Sequence, residues 1–149
     1  MAYQAPDYGG YTRQKADVDY KYGDQSTQNA YGRFLGQQRF ERNVGDMGRS
    51  FGRQYAPYKA NFARRGLSGG GINSGAMRQS MGRFVGDYTR DVGRQYQDQT
   101  LQNQGYDMQQ ANLDQWRQQA LQGIETQKAN DIAWTAQNLQ QLREMLGGM

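Results

Sequence analysis

The chain has no cysteine and no histidine among its 149 residues. That excludes disulfides, zinc sites of the Cys/His kind, thiol nucleophiles and imidazole acid–base chemistry together. Proline is confined to Pro6 and Pro57, each expected to punctuate or kink the backbone around it. No uninterrupted apolar stretch approaches the ~18 residues needed to span a bilayer. Met1-Ala2-Tyr3-Gln4 lacks the basic and apolar regions of a signal peptide, so the chain is expected to be made as a soluble cytoplasmic protein. Apolar residues are scarce as well: 36% of the sequence, against roughly 45–50% (Gly included) for an ordinary domain. The mean hydropathy is −1.08, and the polarity comes more from Gln, Asn, Gly and Tyr than from charge. A self-contained core is short of material. Either much of the chain is disordered or its apolar residues are completed by other subunits.

The arrangement of those apolar residues favours completion by other subunits. Phe40, Val44, Met47, Phe51, Tyr55, Tyr58 and Phe62 follow one another in steps of three and four. So do Met77, Met81, Phe84, Tyr88 and Val92. Each run is one stripe of a helix. Glycines sit one position along from the stripe at Gly45, Gly48, Gly52, Gly82 and Gly93, and two along at Gly86. A smooth groove beside an aromatic ridge suits close helix–helix approach. The Gly-xxx-Gly spacings Gly32/Gly36, Gly48/Gly52 and Gly82/Gly86 belong to the same pattern, which is best known in membranes; the arginines between these glycines argue against a lipid-facing helix. Glycine also weakens an isolated helix by up to about 1 kcal/mol per residue relative to alanine. The helices are therefore expected to be stable chiefly when docked. Phe51, Tyr55, Phe84 and Tyr88, with the six glycines, are the candidate packing and assembly residues.

Four segments follow. Residues 1–25 carry Tyr3, Tyr8, Tyr11, Tyr20 and Tyr22 among glycines and aspartates and show no helical period, so they read as an extended N-terminal arm. Its tyrosines suit docking on a neighbour, each offering a rigid face and a polar tip. Helix one is expected over 26–65, capped by Ser26 or Thr27 and kinked near Pro57. Gly66 would end it, with Leu67 packing back on Phe62. A Gly-rich turn spans 66–73. Helix two runs over 74–147, with a bend expected near 101–106. Its stripe continues through Tyr96, Leu101, Met108, Leu113, Trp116, Ala120, Ile124, Ile132, Thr135, Leu139, Leu142 and Leu146, becoming aliphatic and closer to a coiled-coil strand. An unbroken helix of about 70 residues would reach roughly 105 Å, more than a monomer ordinarily supports. Short echoes, Gly52-Arg53-Gln54-Tyr55 against Gly93-Arg94-Gln95-Tyr96, suggest two helices of similar surface packed about the turn. The fold class is all-α: a long helical hairpin with an extended arm, completed by oligomeric or heteromeric assembly.

Net charge is +4 but uneven: −1 over 1–25, +6 over 26–73, +1 over 74–100 and −2 over 101–149. The basic excess sits in helix one and the turn. Arg39, Arg42, Arg49, Arg53, Arg64 and Arg65 are the candidate contacts to nucleic acid or an acidic partner; the rival reading is a solvated face, since Asp46 lies within a turn of several of them. Asp87, Arg90, Asp91, Arg94 and Asp98 form a ladder of surface ion pairs rather than an acid–base pair. Asp17, Asp19 and Asp24 are too few and too loosely spaced for a calcium loop. Gly69-Gly70-Gly71 lacks the preceding strand and the Gly-Lys-Ser/Thr ending of a phosphate loop. No catalytic residue, cofactor site or metal site is expected, and the chain reads as a non-enzyme.

The stretch Ala63-Arg64-Arg65-Gly66-Leu67-Ser68-Gly69-Gly70-Gly71-Ile72-Asn73-Ser74-Gly75-Ala76, with the Gln/Arg/Tyr-rich helix to Gln99, resembles a segment of small virion proteins of tailed bacteriophages. There a helix ends in an Arg-Gly-Leu turn, passes a Ser/Gly-rich loop and re-enters a long Gln-rich helix. The resemblance covers about a quarter of the chain and leaves out the Tyr-rich arm. It implies a structural component of the tail, tail tip, neck or virion interior, present in several copies among other virion proteins, and it identifies no catalytic residue. Two alternatives stand beside it. One is an internal or ejected virion protein contacting DNA or the host envelope. The other is a low-complexity nucleic-acid-binding protein using arginine and aromatic stacking, although Arg-Gly-Gly repeats are absent.

Overall fold

A computed structural model describes residues 8–64 and 75–147. They form two helices that pack against each other, α1 (Tyr8–Arg64, 57 residues) and α2 (Gly75–Gly147, 73 residues). No strand occurs among the described residues. The expected turn at 66–73, with its Gly66 stop and Arg65, lies outside them.

The chain divides into two compact units, each holding a stretch of both helices in antiparallel pairing. Unit 1 is Met1–Ala30 with Asp107–Met149. In it, pairings climb along α1 as they descend along α2: Tyr11 with Asp131, Lys15 with Glu125, Asp19 with Arg117, Tyr22 with Asp114 and Ser26 with Gln110. Unit 2 is Tyr31–Tyr106. There Gln37 pairs with Gln99, Phe40 with Tyr96, and Phe51 with Tyr88 and Phe84.

The start of α1 corrects the expectation of an extended arm over 1–25. Residues 8–25 are helical, and Tyr11, Lys15, Val18, Tyr22, Ser26 and Asn29 form its half-buried stripe in steps of three and four. Half of those positions are polar, so no apolar period announces the helix. Gly9 and Gly10 fall in the first turn, where intrahelical bonds from the amides are missing in any case. Ser26 and Thr27 are accordingly not caps. Thr27 Oγ1 donates to the Gly23 carbonyl at 2.7 Å, the back-bond of a mid-helix threonine. α1 continues as helix through Pro57, and α2 through 101–106.

Two helices can bury one stripe each and no more. Among the described residues no hydrophobic side chain is buried, and the one buried residue is Gln99, 8% exposed. The scarcity of apolar residues thus appears directly as a structure held by half-buried contacts.

Candidate assembly surfaces

Unit 2 contains the aromatic ridge read from the sequence. The Phe51 ring stacks on Tyr88 at 4.2 Å, on Phe84 at 5.1 Å and on Tyr55 at 5.4 Å, and Tyr58 stacks on Phe84 at 5.1 Å. Phe40 meets Tyr96 edge-on at 4.9 Å. These spacings lie in the favourable range for aromatic pairs. Phe51, Tyr55, Phe84 and Tyr88 are thus brought together by α1·α2 packing within the chain.

The glycines behave differently. A Cβ added at Gly52, Gly82, Gly86 or Gly93 would meet nothing within 4 Å; at Gly45 it would meet only Arg49 of its own helix, and at Gly48 the Tyr88 hydroxyl at 3.6 Å. One position along from the stripe is about 100° around a helix, which turns most of these glycines away from the partner helix. Most of them therefore do not line the α1·α2 contact. Close approach occurs instead at Gly32, whose Cβ would stand 3.2 Å from Tyr106 Cε1, and at Gly36, 3.5 Å from Gln102 Oε1. Beside them is an open groove of about 500 Å³ whose lining includes Arg39, Asp98, Gln99 and Tyr106. Gln99 donates to Gln37 at 3.4 Å and to Asn103 at 3.3 Å, so the most buried position of the unit is an amide network.

In unit 1 the α1·α2 contact is polar. Tyr22 donates to Asp114 at 2.6 Å and accepts from Gln110 Nε2 at 3.1 Å. Ser26 and Asn29 both donate to Gln110 Oε1, at 3.2 and 3.3 Å. Arg117 pairs with Asp19 at 2.8 Å and lies over the Tyr22 ring at 4.9 Å, a cation–π geometry. The carboxylate of Asp114 bonded to its hydroxyl holds the Tyr22 phenol above its ordinary pKa, opposed by Arg117 and Gln110. The Lys15 ammonium, bonded to Glu125, holds that carboxyl below its ordinary pKa. Of the tyrosines assigned to a docking arm, Tyr11 and Tyr22 bond to α2 of their own chain, and Tyr20 is 78% exposed. Tyr3 and the Tyr8 side chain lie outside the described residues. Gln110, Gln99 and Tyr106 were missed because a stripe of amides and phenols carries no hydropathy signal, although their three- and four-residue spacing is present.

The charges separate with the units. By sequence, Tyr31–Tyr106 carries a net +7 and the remainder of the chain −3. Arg39, Arg42, Arg49, Arg53 and Arg64 are exposed in unit 2. Arg49 pairs with Asp46 at 2.6 Å, while Arg90–Asp87 at 3.3 Å and Arg94–Asp91 at 3.8 Å realise the expected ladder. Among the described residues no group of three or more acidic, His or Cys side chains is placed to hold a metal ion. No described helix is long and apolar enough to cross a membrane.

The expected α2 stripe also divides. Leu113, Ala120 and Ile124 are half-buried, whereas Leu101, Met108 and Trp116 are exposed. Leu101 lies roughly 200° around the helix from Gln99, and Met108 roughly 200° from Gln110, each on the face opposite α1. Ile132, Trp134, Leu139, Leu142, Met145 and Leu146 are exposed too. No family model, curated protein or solved structure matches the chain.

Proposed function

We propose that this chain is a non-catalytic, multi-copy structural subunit whose helices bundle with other subunits, of the kind that builds the tail, tail tip, neck or interior of a tailed-bacteriophage virion. The observation that carries the assembly part is the coexistence of two long helices, no buried apolar side chain among the described residues, and exposed Leu101, Met108, Trp134, Leu139, Leu142, Met145 and Leu146. A monomer of this kind leaves most of its hydrophobic stabilisation unused. The virion part rests on the resemblance over 63–99.

The test has two arms. Sedimentation of the purified chain reports the assembly state, and peptide mass spectrometry of purified phage particles reports its copy number. Concentration-dependent oligomers and stoichiometric presence in particles support the reading. A chain that is monomeric at every concentration, or missing from particles while abundant in the lysate, contradicts it.

A second reading is favoured by the +7 charge of unit 2: an internal or ejected virion protein that contacts DNA through Arg39, Arg42, Arg49 and Arg53. Its signature is DNA binding that weakens steeply with salt and is lost on changing these four arginines to Gln. No binding at low salt removes it.

A further inference from the structure

The C-terminal end of α2 outruns the described residues of α1. Within unit 1 the pairing of Tyr11 with Asp131 sets the register near the start of α1 at Tyr8. Tyr8 then stands level with about Trp134, and α2 continues to Gly147, so Thr135–Leu146 extends for about 17 Å beyond the α1 residues described. The character of the helix changes at this point. The α2 face that packs on α1 holds Gln110, Leu113, Arg117, Ala120, Ile124 and Lys128, and it continues into Ile132, Thr135, Leu139, Leu142 and Leu146. Polar contacts give way to an aliphatic stripe in the track that α1 occupies upstream.

The spacing of this stripe is a strict seven. Ile132, Leu139 and Leu146 fall at one heptad position, and Thr135 and Leu142 at the other, the seam of a coiled coil. Leu139, Leu142 and Leu146 are 46%, 47% and 70% exposed.

We infer that residues 135–146 pair antiparallel with the same segment of a second copy of this chain. The proposal deepens the multi-copy reading and rests on it. Continuity with the α1·α2 contact fixes the direction. A helix lying in line with α1 runs antiparallel to α2, and a second copy's α2, entering C-terminus first, ends where α1 begins. Placing its last residues against the start of α1 opposes Thr135 to Leu146 of the second copy and Leu139 to Leu142, and the two-fold axis repeats both contacts. Every layer then joins one heptad position to the other, the arrangement an antiparallel pair of such stripes requires. The flanks agree: Asn138 faces Met145 of the second copy, Arg143 faces Ala136, and no like charges meet. The pairing also brings Trp134, 69% exposed, beside Met145 of the second copy, itself 63% exposed, an aromatic–thioether contact.

The full chain has no cysteine, so single thiols report the register cleanly. Thr135→Cys and Leu146→Cys variants are oxidised separately and as an equimolar mixture. The expected result is a disulfide-linked dimer chiefly in the mixture, since paired Cα atoms must approach within about 7 Å. Homodimers from each variant alone would mean a parallel pair and overturn the proposal.

Sedimentation equilibrium of Leu139→Asp/Leu142→Asp is expected to weaken dimerisation by roughly a hundredfold or more, because the pair would bury unpaired charge. Leu139→Ala/Leu142→Ala, which keeps helix propensity, is expected to weaken it less, with the helical circular dichroism of the parent. If the parent associates and both double variants associate equally, the overhang is not the contact, though the multi-copy reading stands. If the parent is monomeric but dimerises once residues 2–7 are deleted, the chain's own N-terminal segment covers the stripe, and the proposal fails.

Discussion

Replacing Gly82, Gly86 and Gly93 together by alanine is expected to stabilise the hairpin. All three lie inside α2, and an added Cβ at each meets nothing within 4 Å. The substitution therefore brings no clash, while alanine is favoured over glycine in a helix interior by about 0.5–1 kcal/mol per site. Three independent sites give about 2 kcal/mol, which for a chain of this length raises the thermal midpoint by about 4–8 °C. Gly32→Ala is the internal control. Its Cβ would stand 3.2 Å from Tyr106 Cε1, so the ring must give way or the helices separate, at a cost of about 1 kcal/mol or more. The propensity gain is cancelled there, and the midpoint should stay level or fall. The assay is thermal unfolding followed by circular dichroism, at one fixed protein concentration. Should the triple variant melt no higher than the parent, or Gly32→Ala rise as far as Gly82→Ala, the distinction between open and contacting glycines would be wrong.

Other expectations rest on individual contacts. Phe84→Ala removes the ring shared by Phe51 and Tyr58; with the site half-buried, the loss should be about 2 kcal/mol, roughly half that of a core Phe→Ala change, measured by urea unfolding. The Glu125 pKa is lowered by Lys15, so its stabilisation is complete above the ordinary glutamate value and lost as pH falls through the lower folded value. Glu125→Gln should flatten the acid side of the stability profile. The Tyr22 pKa is raised by Asp114; its contribution is complete below about pH 10, the ordinary phenol value, and lost as pH rises through the folded value. Tyr22→Phe should flatten the alkaline side.

The all-helical class was legible because Phe40, Phe51, Phe84 and Tyr88 repeat at helical spacing and meet across the two helices. Where the contact is polar, no hydropathy contrast marks it. Lys15, Ser26 and Asn29 in α1, and Gln99, Gln110 and Arg117 in α2, occupy half-buried or buried positions without any hydropathy contrast, so the first eighteen residues of α1 were read as an arm. The α2 stripe drifted for a related reason. Leu101 and Met108 are the apolar residues nearest the expected phase, but the positions facing α1 are Gln99, Asn103 and Tyr106. The glycine groove runs mostly to one side of the α1·α2 contact, because adjacency in sequence is a large rotation on a helix.

The central claim is that these helices are completed by other chains, and sedimentation velocity of the purified full-length protein across a hundredfold range of concentration addresses it most directly. Assembly predicts a mean mass that rises with concentration, with helical circular dichroism strengthening in step. A single monomeric species throughout, helical and cooperatively melting at the lowest concentration, would contradict it.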